Sequence, residues 1–378
     1  MKMHILTLIS YKVFPAQMGG QKGIADFYYY LSAYNKITIL ASNNNKLEDI
    51  PFESKYNCLF PQGKGIFNIF KLPFVLQLIR NKQIDIIIVE HSYWGWYGYL
   101  LRMITGKPFV IHSHNIEALR FKMQGRIYWR IYAWYEKKIH QLCNYQFFKC
   151  GDDAAHAYQY WYIPISKLTI IPYGTHLDAP PEPKYKKVAR NLLLFRFNLT
   201  TDTCLLLFNG TLDYAPNREA LEKIIHTIVP ALKSCHFPFC LFICGKYLPE
   251  ELQQQLDEHP EIHYLGYVDK FELIIAGVDA LILPGIMATG VKTKMIEALG
   301  LDTTVITTQT GARGIYHDID LKNLICIPDD DEKAFTQKIM SLNQSNNHSP
   351  KTFYERYYWG NVVKMAHVML LKANGELY

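Results

Sequence analysis

The chain has 378 residues, of which 49% are hydrophobic, 14% aromatic and 20% charged, with a net charge of +6. It is too apolar and aromatic for a disordered polymer, and long enough for about two domains at roughly 150 residues each. Residues 1–172 hold 20 Lys and Arg against 10 Asp and Glu, and residues 173–378 hold 20 against 24, so the halves carry +10 and −4. A basic half beside an acidic half points to two binding tasks, the basic one facing something anionic.

The opening Met1-Lys2-Met3-His4-Ile5-Leu6-Thr7-Leu8-Ile9 reads as a buried first strand rather than a signal peptide, because it has no small-residue cleavage pattern. Further strands are expected at 37–41, 84–90, 109–114, 145–149 and 168–171, separated by helix-period stretches. Asp85-Ile86-Ile87-Ile88-Val89 shows no polar alternation, as in a parallel strand covered on both faces. Residues 172–183 form a proline-rich connector that neither helix nor central strand tolerates. The strand pattern restarts at 204–208, 239–244, 262–265, 280–283, 304–307 and 324–327.

The expected fold class is therefore α/β, with two Rossmann-like doubly wound domains. Residues 1–172 make the first domain, 173–195 the linker, 196–350 the second domain, and 351–378 a C-terminal helix crossing back to the first. Every apolar run stops short of the roughly 18–20 residues that span a bilayer; the longest candidate, 273–291, is broken by Asp279, Pro284 and several glycines. The 8 cysteines include no CxxC pair and read as reduced, mostly buried thiols of a cytoplasmic protein.

In such sheets ligands sit beyond the carboxyl ends of the strands. After the first strand, Gly19-Gly20 precede a helical stretch; paired glycines admit close backbone approach, and a helix start offers N–H groups to an anion. A tight strand–helix turn is the alternative, and the spacing does not fit GxGxxG. The strand end Glu90-His91-Ser92-Tyr93-Trp94 adds polar and aromatic groups on the same rim, suited to carbohydrate or to core packing. His112 and His114 share one face of the next strand end. A histidine that hydrogen-bonds a polar substrate is favoured there over a zinc pair, because no third ligand of sensible spacing follows.

In the second half, Asn209-Gly210-Thr211 leads to a helix with Pro216 in its first turn, where backbone N–H groups can receive phosphate. The most specific segment is Gly290-Val291-Lys292-Thr293-Lys294-Met295-Ile296-Glu297, a glycine turn, two lysines at a helix start and a carboxylate farther along. Such a set suits a diphosphate plus a ribose diol. Lysines are unfavourable at a helix start by themselves, so an anionic ligand accounts for them.

Together these segments resemble the retaining GT-B glycosyltransferases of family 4 (glycosyl transferases group 1), most closely the subgroup carrying Gly-Val-Lys-x-Lys. The match runs in order through Gly19-Gly20, His114-Asn115, Pro172-Tyr173-Gly174-Thr175-His176-Leu177-Asp178, Asn209 to Asn217, the lysine segment, Thr310-Gly311-Ala312-Arg313-Gly314 and Tyr358-Trp359. The resemblance implies a GT-B fold whose two domains face each other across a cleft. It also implies a hexosyltransferase-like enzyme that moves a sugar, with retention, from a UDP- or GDP-sugar to a glycan or lipid-linked acceptor in cell-surface polysaccharide biosynthesis.

By that resemblance Glu297 holds the ribose hydroxyls, and Gly290 and Val291 with Lys292 and Lys294 hold the diphosphate, while Gly210 and Thr211 line the nucleotide site. His114 contacts the donor sugar near the reacting carbon, and Gly19, Gly20 and His91 close over phosphate and acceptor. His114, Lys292 and Glu297 are expected to carry catalysis, with no metal and no cofactor beyond the nucleotide-sugar substrate. Two features depart from the family pattern: Thr289 stands where a Glu is common, and Thr211 and Pro216 replace the usual Arg and Lys, so Lys292 and Lys294 are expected to supply the phosphate charge. A GT-B-shaped nucleotide-sugar epimerase and a noncatalytic binding subunit are the alternatives.

Residues 120–138 carry Arg120, Lys122, Arg126, Arg130, Lys137 and Lys138 among aromatic residues. As one helix, Ile127, Ile131, Trp134, Tyr135 and Leu142 would pack on the domain, while Arg126, Arg130 and Lys137 face outward. That outer face rests either on anionic headgroups at the inner side of the membrane or in solvent. Nucleic acid is discounted as a partner, because no recognised module accompanies the basic residues. The expected location is the cytoplasm, with peripheral membrane attachment if the basic face binds lipid.

Overall fold

The structure, a computed structural model, describes all residues except 1, 49, 53, 286–289, 316–318, 343–347 and 377–378. It divides into two units, Met1–Gly174 with Trp359–Tyr378, and Thr175–Tyr358.

The first unit is built on β1 (His4–Ile9), β2 (Lys36–Ser42), β3 (Ser54–Leu59), β4 (Ile86–Glu90), β5 (Phe109–Ser113), β6 (Tyr145–Phe148) and β7 (Leu168–Ile170). They form one sheet in the order β3-β2-β1-β4-β5-β6-β7. All pairs are parallel, with Ile5 of β1 beside Ile37 and Ile86. Every residue of β4 is buried, which the unbroken run of isoleucines requires and which also buries Glu90 at its end. Strand β3 was not expected. Its sequence Ser-Lys-Tyr-Asn-Cys-Leu is largely polar because it lies at the sheet edge, where one face stays wet and no apolar run is needed.

The second unit contains β8 (Cys204–Asn209), β9 (Phe239–Cys244), β10 (Ile262–Gly266), β11 (Ala280–Leu283), β12 (Thr304–Thr308) and β13 (Leu324–Ile327), in the order β10-β9-β8-β11-β12-β13. All pairs are again parallel. In both sheets the direction of chain progression reverses once, between β1 and β4 and between β8 and β11. Ligands of doubly wound sheets bind at the carboxyl ends of the strands flanking that switch. The positions so marked are Ser10 and His91 in the first unit, Gly210 and Pro284 in the second.

The expected linker 173–195 is corrected. From Pro183 the chain forms the helix Pro183–Arg196 of the second unit, because a proline in the first helical turn lacks only an N–H that has no partner there anyway. Ala189, Leu193 and Leu194 bury this helix against Phe271–Gly277, where a Cβ on Gly277 would come within 2.8 Å of Leu193. The expected C-terminal helix is split at Tyr358: Lys351–Tyr357 belongs to the second unit and Trp359–Ala373 to the first. The latter packs on Gly19–Leu31, with His367 Nδ1 3.1 Å from Asn35 Oδ1. Gly174 lies so close to Trp359 that a Cβ would meet its ring at 2.4 Å.

The basic stretch also differs from the single helix expected. Glu117–Met123 is followed by a turn and then by Trp129–Leu142, whose buried residues are Glu136, Ile139 and His140. Ile127, Ile131 and Trp134, predicted to pack inward, are instead 97%, 74% and 65% exposed. Glu136 explains the rotation: it accepts hydrogen bonds from the Glu117 and Ala118 N–H groups (3.0 and 2.9 Å), otherwise orphaned at the start of the preceding helix. All eight cysteines are free, and two of them, Cys235 and Cys326, are exposed. Among the described residues no helix is long and apolar enough to cross a membrane.

Candidate functional site

At the carboxyl end of the first sheet the strands deliver one buried polar network, centred on Glu90. Its carboxylate accepts from Tyr28 OH (2.5 Å), pairs with His112 Nδ1 (2.9 Å) and pairs with His114 Nε2 (2.6 Å). Burial opposes ionisation of Glu90, but the imidazoles and their hydrogen bonds outweigh it and hold the carboxyl well below its ordinary range. An ionised carboxylate only accepts, so His112 donates from Nδ1 and His114 from Nε2. That leaves His114 Nδ1 to accept from the Tyr173 hydroxyl at 2.8 Å.

His91 lies over this network, its ring stacked on His114 at 4.5 Å, with Nε2 3.0 Å from Tyr11 OH and Nδ1 3.2 Å from Glu117 Oε1. Its φ of 59° and ψ of 166° lie in a region that favours glycine, a strain of about 1–3 kcal/mol of the kind found at functional sites. Glu117 also accepts from Tyr93 OH (2.5 Å) and pairs with Arg120. Burial raises its pKa less than His91 and Arg120 lower it, bringing it down to about 2.

Lys149, just beyond β6, is fully buried and its ammonium has no hydrogen-bond partner among the described residues. It sits over the Tyr173 ring at 4.6 Å, and burial lowers its pKa to about 7 against the pull of Glu90. Glu90, His112 and His114 bring potential metal-ligand atoms within 4.8 Å of one another. Because the carboxylate is already bonded to both rings and a lysine shares the site, these residues form a hydrogen-bonded network that does not fit a metal cage.

Gly19 and Gly20 open the helix Gly19–Leu31, whose start is closed by Gln21: its Oε1 accepts from the Gln17 and Met18 N–H groups at 2.9 and 3.0 Å. A Cβ at Gly20 would meet nothing within 4 Å, whereas one at Gly23 would strike the Tyr173 ring at 2.4 Å. The protein's own packing therefore requires Gly23 and leaves the space at Gly20 open.

The buried histidines give the first unit a definite pH dependence. Burial lowers His112 and His140 to about 4 and His114 well below 6.5. Below pH 6.5 the unfolded chain takes up protons that these three sites refuse, so stability present above 6.5 is lost as pH falls toward 4. Glu136, raised by burial to about 8, acts with the opposite sign between pH 8 and 4.5, but it is one group against three. Urea denaturation should show a net loss of about 2–3 kcal/mol per pH unit from 6.5 to 4.5; a flat profile would contradict the neutral, buried state of the histidines.

In the second unit the predicted residues converge at the β8/β11 switch. Lys292 is the N-cap of the helix Thr293–Gly300, and its Nζ donates to the Gly311 carbonyl at 3.0 Å. Lys294 reaches back to the Asn209 carbonyl and to Asn217 Oδ1 (3.3 Å), with its ammonium over the Phe208 ring at 5.3 Å. Burial lowers Lys292 to about 8, with Asp329 pulling the other way. Burial and the neighbouring Lys292 bring Lys294 to about 7. Two lysines thus share this site, with Asp329 drawing on Lys292 and Glu297 on Lys294.

Gly210 is packed between Asn217, which a Cβ would approach to 2.6 Å, and Gly245, whose own Cβ would lie 1.8 Å from the Gly210 carbonyl. Asn217 Nδ2 donates to the Thr211 carbonyl at 2.9 Å, fixing that turn. Gly290 has φ 70°, and Gly290, Val291 and Glu297 are half-buried along the same turn and helix. Thr289 lies outside the described residues. The structure thus gathers Gly210, Thr211, Lys292 and Lys294 in one unit, and Gly19, Gly20, His91 and His114 at one end of the other.

The sequence alone assigns no role to Glu90, Glu117 or Lys149. For Glu90 and Lys149 the available signal is a charged residue ending or directly following an apolar strand, as in Phe147-Phe148-Lys149.

A family model described as Glycosyltransferase Family 4 matches residues 21–179, and one described as Glycosyl transferases group 1 matches residues 203–345. Comparison with curated proteins finds no match. Among solved structures, sucrose-phosphate synthase from Thermosynechococcus elongatus aligns with a TM-score of 0.74 at 15% identity, covering 98% of this chain and 99% of that one. HepE from Anabaena in complex with UDP aligns at 0.71 and 14% identity over 98% and 100% of the two chains. WaaG, a glycosyltransferase involved in lipopolysaccharide biosynthesis, aligns at 0.68 and 14% identity over 97% and 99%. At these identities the structures speak for the fold, and the two family models speak for the activity. With one model on each unit and the doubly wound sheets of both, the chain is a GT-B glycosyltransferase.

Proposed function

We propose that this enzyme transfers a sugar, with retention and without a metal ion, from a UDP- or GDP-sugar to a glycan or lipid-linked acceptor of a cell-surface polysaccharide. The observation that carries the donor assignment is the placement of Lys292, on the Gly311 carbonyl, and of Lys294, on the Asn209 carbonyl, around the β8/β11 switch. Crystals of a similar fold with UDP, and the role of another in lipopolysaccharide biosynthesis, support the donor and product classes.

In this reading the diphosphate lies on the two ammonium groups and the N–H groups after Gly290, and Glu297 takes the ribose hydroxyls. The bond from the sugar carbon to the phosphate oxygen breaks and one to the acceptor oxygen forms on the same face. The acceptor proton passes to the departing phosphate, whose charge the lysines stabilise. The first unit serves sugar and acceptor: His114 bonds a sugar hydroxyl by exchanging it for that of Tyr173, while Glu90 keeps the ring's other proton in place. Gly20 and His91 border the acceptor. Proton NMR of the first product formed tests retention: the donor's anomeric configuration should be kept, and an inverted product overturns the mechanism.

We extend this reading to the membrane. Ile127, Ile131 and Trp134 stand in solvent beside the exposed Arg126, Arg130 and Lys138, an apolar stripe edged with cations that suits an anionic bilayer surface. The protein should co-sediment with phosphatidylglycerol vesicles, less so at high salt, and Ile131→Glu with Trp134→Glu should abolish it. Binding indifferent to phosphatidylglycerol and salt would leave the basic residues a solvated face.

A further inference from the structure

A cavity of about 660 Å³ opens at the amino ends of β1, β2 and β4, the end of the first sheet opposite the histidines. Five cations line it: Lys2 before β1, Lys36 opening β2, Arg80 and Lys82 around the end of the helix Leu72–Asn81, and Lys107 before β5. Lys2 donates to the Ala33 carbonyl at 2.6 Å, but Lys36, Arg80, Lys82 and Lys107 make no side-chain hydrogen bond or ion pair among the described residues.

The ordinary explanation for such cations is the partial negative charge of a helix C-terminus, and Leu72–Asn81 and Gly95–Thr105 both end here. At about −0.5 each, those two ends offset only one unit of charge. The lining carboxylate, Asp85, offsets one more and already accepts from the His4 N–H at 2.8 Å. About three positive charges stay unmatched around a concave site, where field lines concentrate. Leu76, Ile79, Ile84 and Ile104 complete the lining with apolar surface, and the volume falls within the range of small-molecule sites.

The geometry points to a second ligand site, distinct from the proposed donor site and independent of it: a pocket for an oligophosphate, its charge held by Lys36, Arg80, Lys82 and Lys107. The chemistry fits inorganic oligophosphate and the phosphate chain of a nucleotide alike; the apolar lining matters only for the latter. This pocket also accounts for five of the 20 basic residues in residues 1–172, apart from those of residues 120–138.

Calorimetry with sodium tripolyphosphate and with ATP tests the proposal on the full chain carrying Lys292→Ala and Lys294→Ala, so that the proposed donor site does not contribute. Tripolyphosphate should still bind this variant, with an affinity that falls steeply with salt. Adding Lys36→Ala with Lys82→Ala, or Arg80→Ala with Lys107→Ala, should weaken it at least tenfold at an unchanged melting temperature. Tighter binding of ATP, lost on Ile104→Asp, would mark a nucleotide as the ligand, and equal binding an inorganic one. The proposal is overturned if tripolyphosphate fails to bind, if its binding disappears with Lys292→Ala and Lys294→Ala, or if both pocket double variants bind it unchanged.

Discussion

Lys294→Ala is expected to lower kcat/KM by about 10²–10³-fold, the usual cost of removing one preorganised group from developing charge. The side chain is held on the Asn209 carbonyl, Asn217 and the Phe208 ring before any ligand arrives, so little reorganisation accompanies the reaction. Because burial lowers Lys292 and Lys294 to about 8 and 7, part of their charge is missing at pH 8 in the free protein. A diphosphate raises both values, so nucleotide binding at pH 8 should take up protons and weaken as pH rises further. Calorimetry in two buffers of different ionisation enthalpy reads that uptake directly. Binding without proton uptake, together with undiminished turnover in the Ala variant, would remove Lys294 from the phosphate site.

Glu90→Gln should cost about 3–5 kcal/mol of stability, the range for stripping one partner from a buried charged pair. The carboxylate serves three donors, Tyr28, His112 and His114, and faces the buried Lys149. An amide offers one acceptor oxygen and turns an NH2 toward a donor. With the amide oxygen in the place of Oε1 the bonds from Tyr28 and His112 are kept, the NH2 faces His114 so that this bond is reversed, and the lysine loses its counter-charge. The tautomer of His114 should change with it, visible in ¹⁵N shifts of the ring. A loss below about 1 kcal/mol with unchanged tautomers would show that Glu90 does not organise the histidines.

Those two sites were legible in the sequence to different degrees. The lysine segment after β11 stood out because cations at a helix start need a reason, and the structure puts both lysines at the sheet's switch point. The spacing of His112 and His114 places them on one face, but what joins them is Glu90, one strand away and 22 and 24 residues earlier. No spacing rule reaches across strands, so the hub itself was invisible. The parallel strands of the interior were readable because both faces are buried and the apolar runs are unbroken, whereas β3 carries the mixed sequence of an edge. The helix Trp129–Leu142 departs from its expected facing for a related reason. Periodicity assumes that apolar residues face inward, yet Glu136 and His140 are drawn in by the backbone of Glu117 and Ala118 and by Gln146, leaving Ile131 and Trp134 outside.

The central claim is that the second unit binds the nucleotide of a sugar donor, and titrating UDP and GDP into the protein and into Glu297→Ala tests it most directly. One of the two should bind, and the variant should lose about 1.5–3 kcal/mol of that binding, the worth of a hydrogen bond to a charged group. Failure of both nucleotides to bind the unaltered protein, or equal binding to the Glu297→Ala variant, would contradict it.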